Sequence, residues 1–153
     1  MSRFGALAGG AAFGATLFLV GFVLGTVRVL LIAPRTGVLL AVAIEVPVML
    51  GLAWVIAPRF MRRLAAGAAG AAAGATWFLA AFGVLLALEW ALGILVFGQR
   101  AAEVLASYGT PEGALGLVGQ AAATLLPLAR AGGADPAEGR HARTADDPAR
   151  ADR

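Results

Sequence analysis

Residues 25–49 of the chain read GTVRVLLIAPRTGVLLAVAIEVPVM, and this stretch decides the fold. It contains the end of one hydrophobic segment, a short polar turn sequence and the start of a second hydrophobic segment. Proline cannot continue a helix, and glycine adopts positive φ without a steric penalty. We therefore expect two helices joined by a turn at Pro34, Arg35 and Gly37.

The composition places the chain among membrane proteins. Of its 153 residues, 60% are hydrophobic and 14% are charged, whereas soluble domains carry roughly 25% charged residues. There is no cysteine, which excludes disulfides, thiolate metal sites and a cysteine nucleophile. The net charge is +3, and the arginines flank hydrophobic segments instead of forming one basic face, so we expect no nucleic-acid partner.

The hydrophobic pattern predicts an all-α fold, a polytopic transmembrane bundle of four spans. A helix rises about 1.5 Å per residue, so about 20 apolar residues cross a hydrocarbon core of roughly 30 Å. The fourth span is weak because Gln120 and Pro127 interrupt it, and a re-entrant segment is the alternative. The spans cover approximately residues 4–33, 38–57, 64–98 and 113–129, with a basic loop at 58–63.

These spans divide the chain into a transmembrane helical domain, residues 1–130, and a tail, residues 131–153. The tail mixes Arg, Asp, Pro, Gly and Ala without apolar periodicity, which predicts a disordered cytoplasmic segment. The absence of lysine and the abundance of Ala and Gly hint at a GC-rich bacterial genome. We therefore expect a multi-pass protein of the bacterial inner (plasma) membrane.

The arginines near the spans predict the orientation. Positive side chains concentrate on the cytoplasmic side of membrane proteins. An N-in, C-in topology leaves only Arg35 and Arg100 outside among the arginines close to the spans. It places on the cytoplasmic side Arg3, Arg59, Arg62, Arg63 and Arg130.

Small residues on the first and third spans predict close helix packing. Two GxxxG pairs lie on one face of the first span, and another pair lies in the third. Such faces let helix backbones approach each other closely. We expect them to pack the first span against the third, and dimerisation is the alternative. The residues are Gly10, Gly14, Gly21, Gly25, Gly70 and Gly74.

Three charges inside the hydrophobic segments form the candidate site: Arg28, Glu45 and Glu89. Arg28 precedes Pro34 by six residues and Glu45 follows Gly37 by eight, so both lie about 9–12 Å below the same turn. Glu89 lies at a similar depth in the third span. Charges within spans usually face the bundle interior, pair with one another and mark functional sites.

We expect an Arg28–Glu45 pair, with Glu89 as a second partner or as a separate group. One cation beside two carboxylates is an arrangement that proton relays use, which gives the hypothesis of a relay. Two structural alternatives stand beside it. The pair fixes only the helix register, or Arg28 and Glu89 reach the outer interface with their polar ends.

The turn region also carries a recognisable pattern, G-T-x-R-V-L-x-x-A-P-R-x-G followed by E-x-P-x-M. Its positions are Gly25, Thr26, Arg28, Val29, Leu30, Ala33, Pro34, Arg35, Gly37, Glu45, Pro47 and Met49. The pattern resembles a group of small, uncharacterised multi-span bacterial membrane proteins, over approximately residues 1–60. The resemblance implies membrane class and location and brings no activity, cofactor or substrate.

The sequence offers little for an enzyme. His141, the single histidine, lies in the predicted tail, and no P-loop, GxSxG or HExxH pattern occurs. We expect no catalytic residue, cofactor or metal, and a non-enzymatic accessory or interaction subunit. The alternative is a small ion- or proton-conducting channel or transporter that uses the charge cluster. The expected partners are the lipid bilayer and either another membrane protein or further copies of the chain.

Overall fold

The computed structural model describes residues 3–65 and 71–132, and these residues form an all-α fold. Helix accounts for 93% of the structure, and no strand occurs in the two described ranges. The last two residues of α6 overlap the predicted tail, whose remainder, 133–153, lies outside the described residues. The elements are α1 (Arg3–Val27), π1 (Arg28–Ile32), α2 (Ala33–Thr36), α3 (Val38–Ala65), α4 (Ala71–Ala91), π2 (Leu92–Val96), α5 (Ala101–Ser107) and α6 (Pro111–Gly132).

Within residues 3–65 and 71–132, four stretches of helix are long and apolar enough to cross a membrane, which confirms the predicted polytopic bundle. The fourth stretch is continuous helix across both Gln120 and Pro127. By the length and composition of these helices, the chain is a multi-pass membrane protein. The stretches are Phe4–Thr36, Val38–Phe60, Ala72–Val96 and Pro111–Ala129.

The four long helices form a closed ring. α1 packs most extensively against α4, and α3 packs most extensively against α6. Smaller contacts between α1 and α3, and between α4 and α6, complete the ring. Gly10 faces Trp77 and Gly14 faces Ala81, so α1 and α4 run parallel. Each of these two helices is antiparallel to α3 or α6, as a four-pass chain requires.

The centre of the ring is packed with aromatic and aliphatic side chains. Phe13, Leu17, Trp77 and Leu85 are fully or almost fully buried. The Phe13 ring lies 5.0 Å from the Trp77 ring and 5.5 Å from the Phe60 ring, measured between centroids. These contacts join α1, α3 and α4 at the end of the bundle that contains the start of α1.

The turn between the first two spans contains fewer residues than predicted. Pro34 and Arg35 belong to the short helix α2, and the chain leaves the helix at Gly37, where φ is +83°. Pro34 lies in the first turn of α2, which follows π1 without a break, so its ring removes one backbone donor from a continuous helical stretch that runs from Phe4 to Thr36. The Gly37 N–H closes the helix by donating to the Ala33 carbonyl.

The loop predicted at 58–63 is wrong, because α3 continues through it to Ala65. Pro58 removes one backbone donor from the helix, and the neighbouring turns keep their own hydrogen bonds. The contact of Phe60 with Phe13 holds this part of α3 against α1. Residues 64 and 65 therefore belong to α3, and the described part of the third span begins at Ala71.

Candidate functional site

Arg28 and Glu45 form an ion pair between the first two spans. The Arg28 Nε lies 2.6 Å from Glu45 Oε2, and 26% and 18% of the two side chains are exposed. Gly37 lies nine residues after Arg28 and eight before Glu45, so the antiparallel hairpin brings both to one level. Nε makes no hydrogen bond of good geometry within the described residues, so the attraction is mainly that of opposite charges.

Glu89 pairs with an amide instead of a cation. The Gln120 Nε2 donates a hydrogen bond to Glu89 Oε1 across the α4–α6 contact. The Gln120 Oε1 points away from this bond and is buried with no hydrogen-bond partner in the described part of the chain. One turn later in α6, the buried Thr124 hydroxyl donates to the Gln120 carbonyl, 2.9 Å away.

A single cavity of about 800 Å³ joins the two pairs. Its walls come from all four long helices, and most of its lining is apolar. It extends from Leu17 and Met49 inside the bundle to Ser107 and Thr110, which follow the third span. The cavity therefore opens toward the end of the bundle that contains Gly37, and the aromatic core lies beyond its floor.

The described lining of this cavity contains more negatively charged than positively charged side chains. Arg28 is the single cation among the described lining residues, and it faces Glu45. Glu89 and Glu112 line the same space, and Glu89 lies within electrostatic range of both members of the ion pair. No cluster of three or more metal-binding side chains occurs in residues 3–65 and 71–132. The site is therefore a cavity with an excess of carboxylates.

Two π-helical segments lie at or close to the charged residues of the site. π1 begins at Arg28, and π2 begins three residues after Glu89. A π-helical turn contains an additional residue, which shifts the side chains that follow it, and such turns are frequent at functional sites. Both segments lie at the end of the bundle where the cavity opens. The local widening of the two helices thus coincides with the candidate site.

Tyr108 belongs to the connection that follows the third span. Burial raises the pKa of its phenol, and the negative charge of the nearby Glu89 raises it further. The aromatic ring lies in the turn between α5 and α6, outside the four spans. Tyr108 is therefore positioned to report on the charge of Glu89.

The predicted site residues divide into two groups. Arg28, Glu45 and Glu89 line one cavity, and Gly21 and Gly25 line it with them. The remaining glycines belong to helix contacts. Gly10 and Gly14 of α1 pack against the α4 backbone, whereas Gly74 of α4 faces Leu128 of α6. Gly70 lies outside the described residues.

Gln120 is the member of the site that sequence reasoning missed. In the sequence it appears as an interruption of the weakest span. An amide in an apolar segment, facing inward at the level of three other polar groups, is the signal that identifies it. Its partner could be recognised only once α4 and α6 were known to pack together.

Comparison with known proteins gives no match: no protein family, no curated protein and no solved structure is detectably similar to the chain. The geometry of the cavity is therefore the basis for any assignment of function.

Proposed function

We propose that this chain is a small transporter that moves protons or small cations through the charged cavity, with Glu89 as the exchanging group. The observation that carries the proposal is the cavity that joins the Arg28–Glu45 ion pair to the Glu89–Gln120 hydrogen bond. The proposal includes no enzymatic chemistry and no bound cofactor. It favours the conducting alternative over the accessory subunit.

The charge balance supports the role of Glu89. Arg28 neutralises Glu45, whereas Glu89 has a neutral amide as its hydrogen-bond partner. A carboxylate in a largely apolar cavity is costly unless a counter-charge accompanies it. A proton or a cation that enters through the open end of the cavity supplies this charge. Release of the same occupant on the other side completes a transport step.

The packing of the core favours a transporter over an open pore. Phe13, Leu17 and Trp77 lie fully buried on the closed side of the cavity. Passage toward that side requires the helices to rearrange. The proposed cycle therefore alternates between this state, open at one end, and a state open at the other.

We further propose that the protein lies in the bacterial inner membrane with both termini in the cytoplasm. This orientation follows the arginine distribution, because the Arg59 side of α3 carries more positive charge than the Gly37 side. It directs the open end of the cavity to the outside. Entry of the transported ion then takes place from the periplasmic face.

The purified full-length chain, reconstituted in liposomes with an internal pH-sensitive dye, tests the proposal. An imposed potassium diffusion potential should drive proton entry, and replacing external sodium with a large impermeant cation separates proton from sodium movement. Mild-detergent purification from its own membrane tests the accessory alternative. A stoichiometric foreign partner together with no flux from the purified chain would support that alternative.

A further inference from the structure

We propose that the cavity binds an amphipathic primary amine, whose ammonium group contacts Glu89 and Gln120 while its apolar part fills the rest. The inference rests on the proposed function, because it names the substrate class of the same cavity. The ammonium is the cation that neutralises Glu89, and it exchanges there with a proton.

The polar end of the cavity offers acceptors for a donor-bearing cation. Glu89 Oε1 accepts the amide N–H of Gln120, and the Gln120 Oε1 is left buried without a donor in the described residues. A buried acceptor without a partner is destabilising, because it has lost its hydrogen bonds to water without replacement. A primary ammonium carries three N–H donors, so it can satisfy this acceptor and the carboxylate together. A quaternary ammonium has no N–H to donate, and an alkali ion would coordinate the oxygens but leave the apolar walls of the cavity unfilled.

The volume and walls of the cavity exceed what a proton needs. A volume of about 800 Å³ lies in the range of sites for small organic molecules. Side chains such as Leu17, Phe18, Met49 and Leu85 line its inner part. These walls bury an aromatic or aliphatic group, which the hydrophobic effect favours.

An anionic ligand does not fit this arrangement. The one lining cation in the described residues, Arg28, is already engaged by Glu45. A carboxylate or phosphate in the cavity would face Glu89 and Glu112 without a free positive partner. Like charges at short range in a medium of low dielectric repel each other strongly. The charge pattern therefore selects cations.

The test is isothermal titration calorimetry on the full-length chain in detergent with 2-phenylethylamine. The neutral 2-phenylethanol, the trimethylated amine and 3-phenylpropionate serve as matched probes. We expect the primary amine to bind about tenfold or more tighter than each of the three, because charge-assisted hydrogen bonds form only with it. Equal affinity for the amine and the alcohol would overturn the inference.

Two near-isosteric variants assign the contacts. Glu89→Gln and Gln120→Met should each weaken amine binding by about tenfold and leave alcohol binding unchanged. Glu103→Gln, at an exposed carboxylate on α5 away from the cavity lining, should bind like the wild type. Thermal unfolding shows which variants are folded. A folded Glu89→Gln or Gln120→Met variant that binds the amine as tightly as the wild type would contradict the proposed contacts.

Proton flux without amine separates this inference from the proposed function. Glu89-dependent flux together with absent amine binding refutes the amine and leaves the transporter standing. Glu89-dependent amine binding together with absent flux refutes transport and leaves the binding site standing.

Discussion

At the Arg28–Glu45 contact, each side chain supplies the counter-charge of the other in a largely apolar environment. Removing one partner leaves an uncompensated charge, whereas removing both leaves none. We expect Arg28→Met and Glu45→Gln each to lower the free energy of unfolding by about 2 kcal/mol. The double variant should lose clearly less than the sum of the two.

Titration with a denaturing detergent in mixed micelles measures these free energies. Arg59→Met is the control, since Arg59 is exposed on α3, and we expect a change within about 0.5 kcal/mol. Strict additivity of the two single variants would show that the ion pair contributes no coupling.

Tyr108 provides an optical readout of Glu89, because it is the single tyrosine of the chain. Burial and the charge of Glu89 both raise its pKa, so the neutral phenol persists to higher pH than the ordinary value of 10.0. In Glu89→Gln the midpoint of the Tyr108 titration should move down toward that value, because the charge of Glu89 is removed while burial and the hydrogen bond with Trp90 remain. Tyrosinate absorbance during an alkaline titration measures the midpoint.

The control for this titration is Glu103→Gln, whose midpoint should match that of the wild type. If Glu89→Gln also titrates like the wild type, Glu89 carries no charge near Tyr108. The proposed exchange site would then lack its ionised form.

Among the helices, the contact between α1 and α4 depends on glycine. A Cβ built at Gly14 would overlap the Ala81 carbonyl, whereas one built at Gly51 meets nothing within 4 Å. We expect Gly14→Ala to lower the free energy of unfolding by about 1–3 kcal/mol, because the two backbones must separate. Gly51→Ala is the matched control and should be neutral or slightly stabilising.

The same mixed-micelle titration compares the two glycine variants. Equal stability of Gly14→Ala and Gly51→Ala would contradict close packing of α1 against α4. A loss confined to Gly14→Ala would support it.

The hairpin was predictable because its elements depend on local chemistry. Proline, glycine and the length of each apolar segment define where the first two spans begin and end. The similar distance of Arg28 and Glu45 from the turn then follows from counting residues on either side of Gly37. The same counting predicted a similar depth for Glu89 in the third span, and Glu89 lines the same cavity as Arg28 and Glu45.

The remaining elements depend on packing that the sequence does not display. α1 and α4 are apolar on all sides, so an additional residue in π1 or π2 leaves no mark on the hydrophobic pattern. Pro58 suggests a helix end, yet α3 continues because neighbouring helices support it. The role of Gln120 as the hydrogen-bond partner of Glu89 becomes visible only when the packing of α6 against α4 is known.

For the whole molecule, the orientation in the membrane decides which face the cavity opens to. The chain has no cysteine, so a single introduced cysteine reports its own exposure. Ala102→Cys, exposed on α5, should react with a membrane-impermeant maleimide on intact spheroplasts. Arg59→Cys, exposed on α3, should react only after the membrane is permeabilised. The reverse labelling pattern would refute the N-in, C-in topology.

The central claim is that Glu89 exchanges a proton or cation with the outside during transport, and one comparison tests it most directly. Proton flux is measured in liposomes that contain equal amounts of wild type, Glu89→Gln or Glu103→Gln. The account predicts that wild type and Glu103→Gln conduct equally, whereas Glu89→Gln falls to the level of protein-free vesicles. Unchanged flux in Glu89→Gln, or no flux above protein-free vesicles in the wild type, would contradict it.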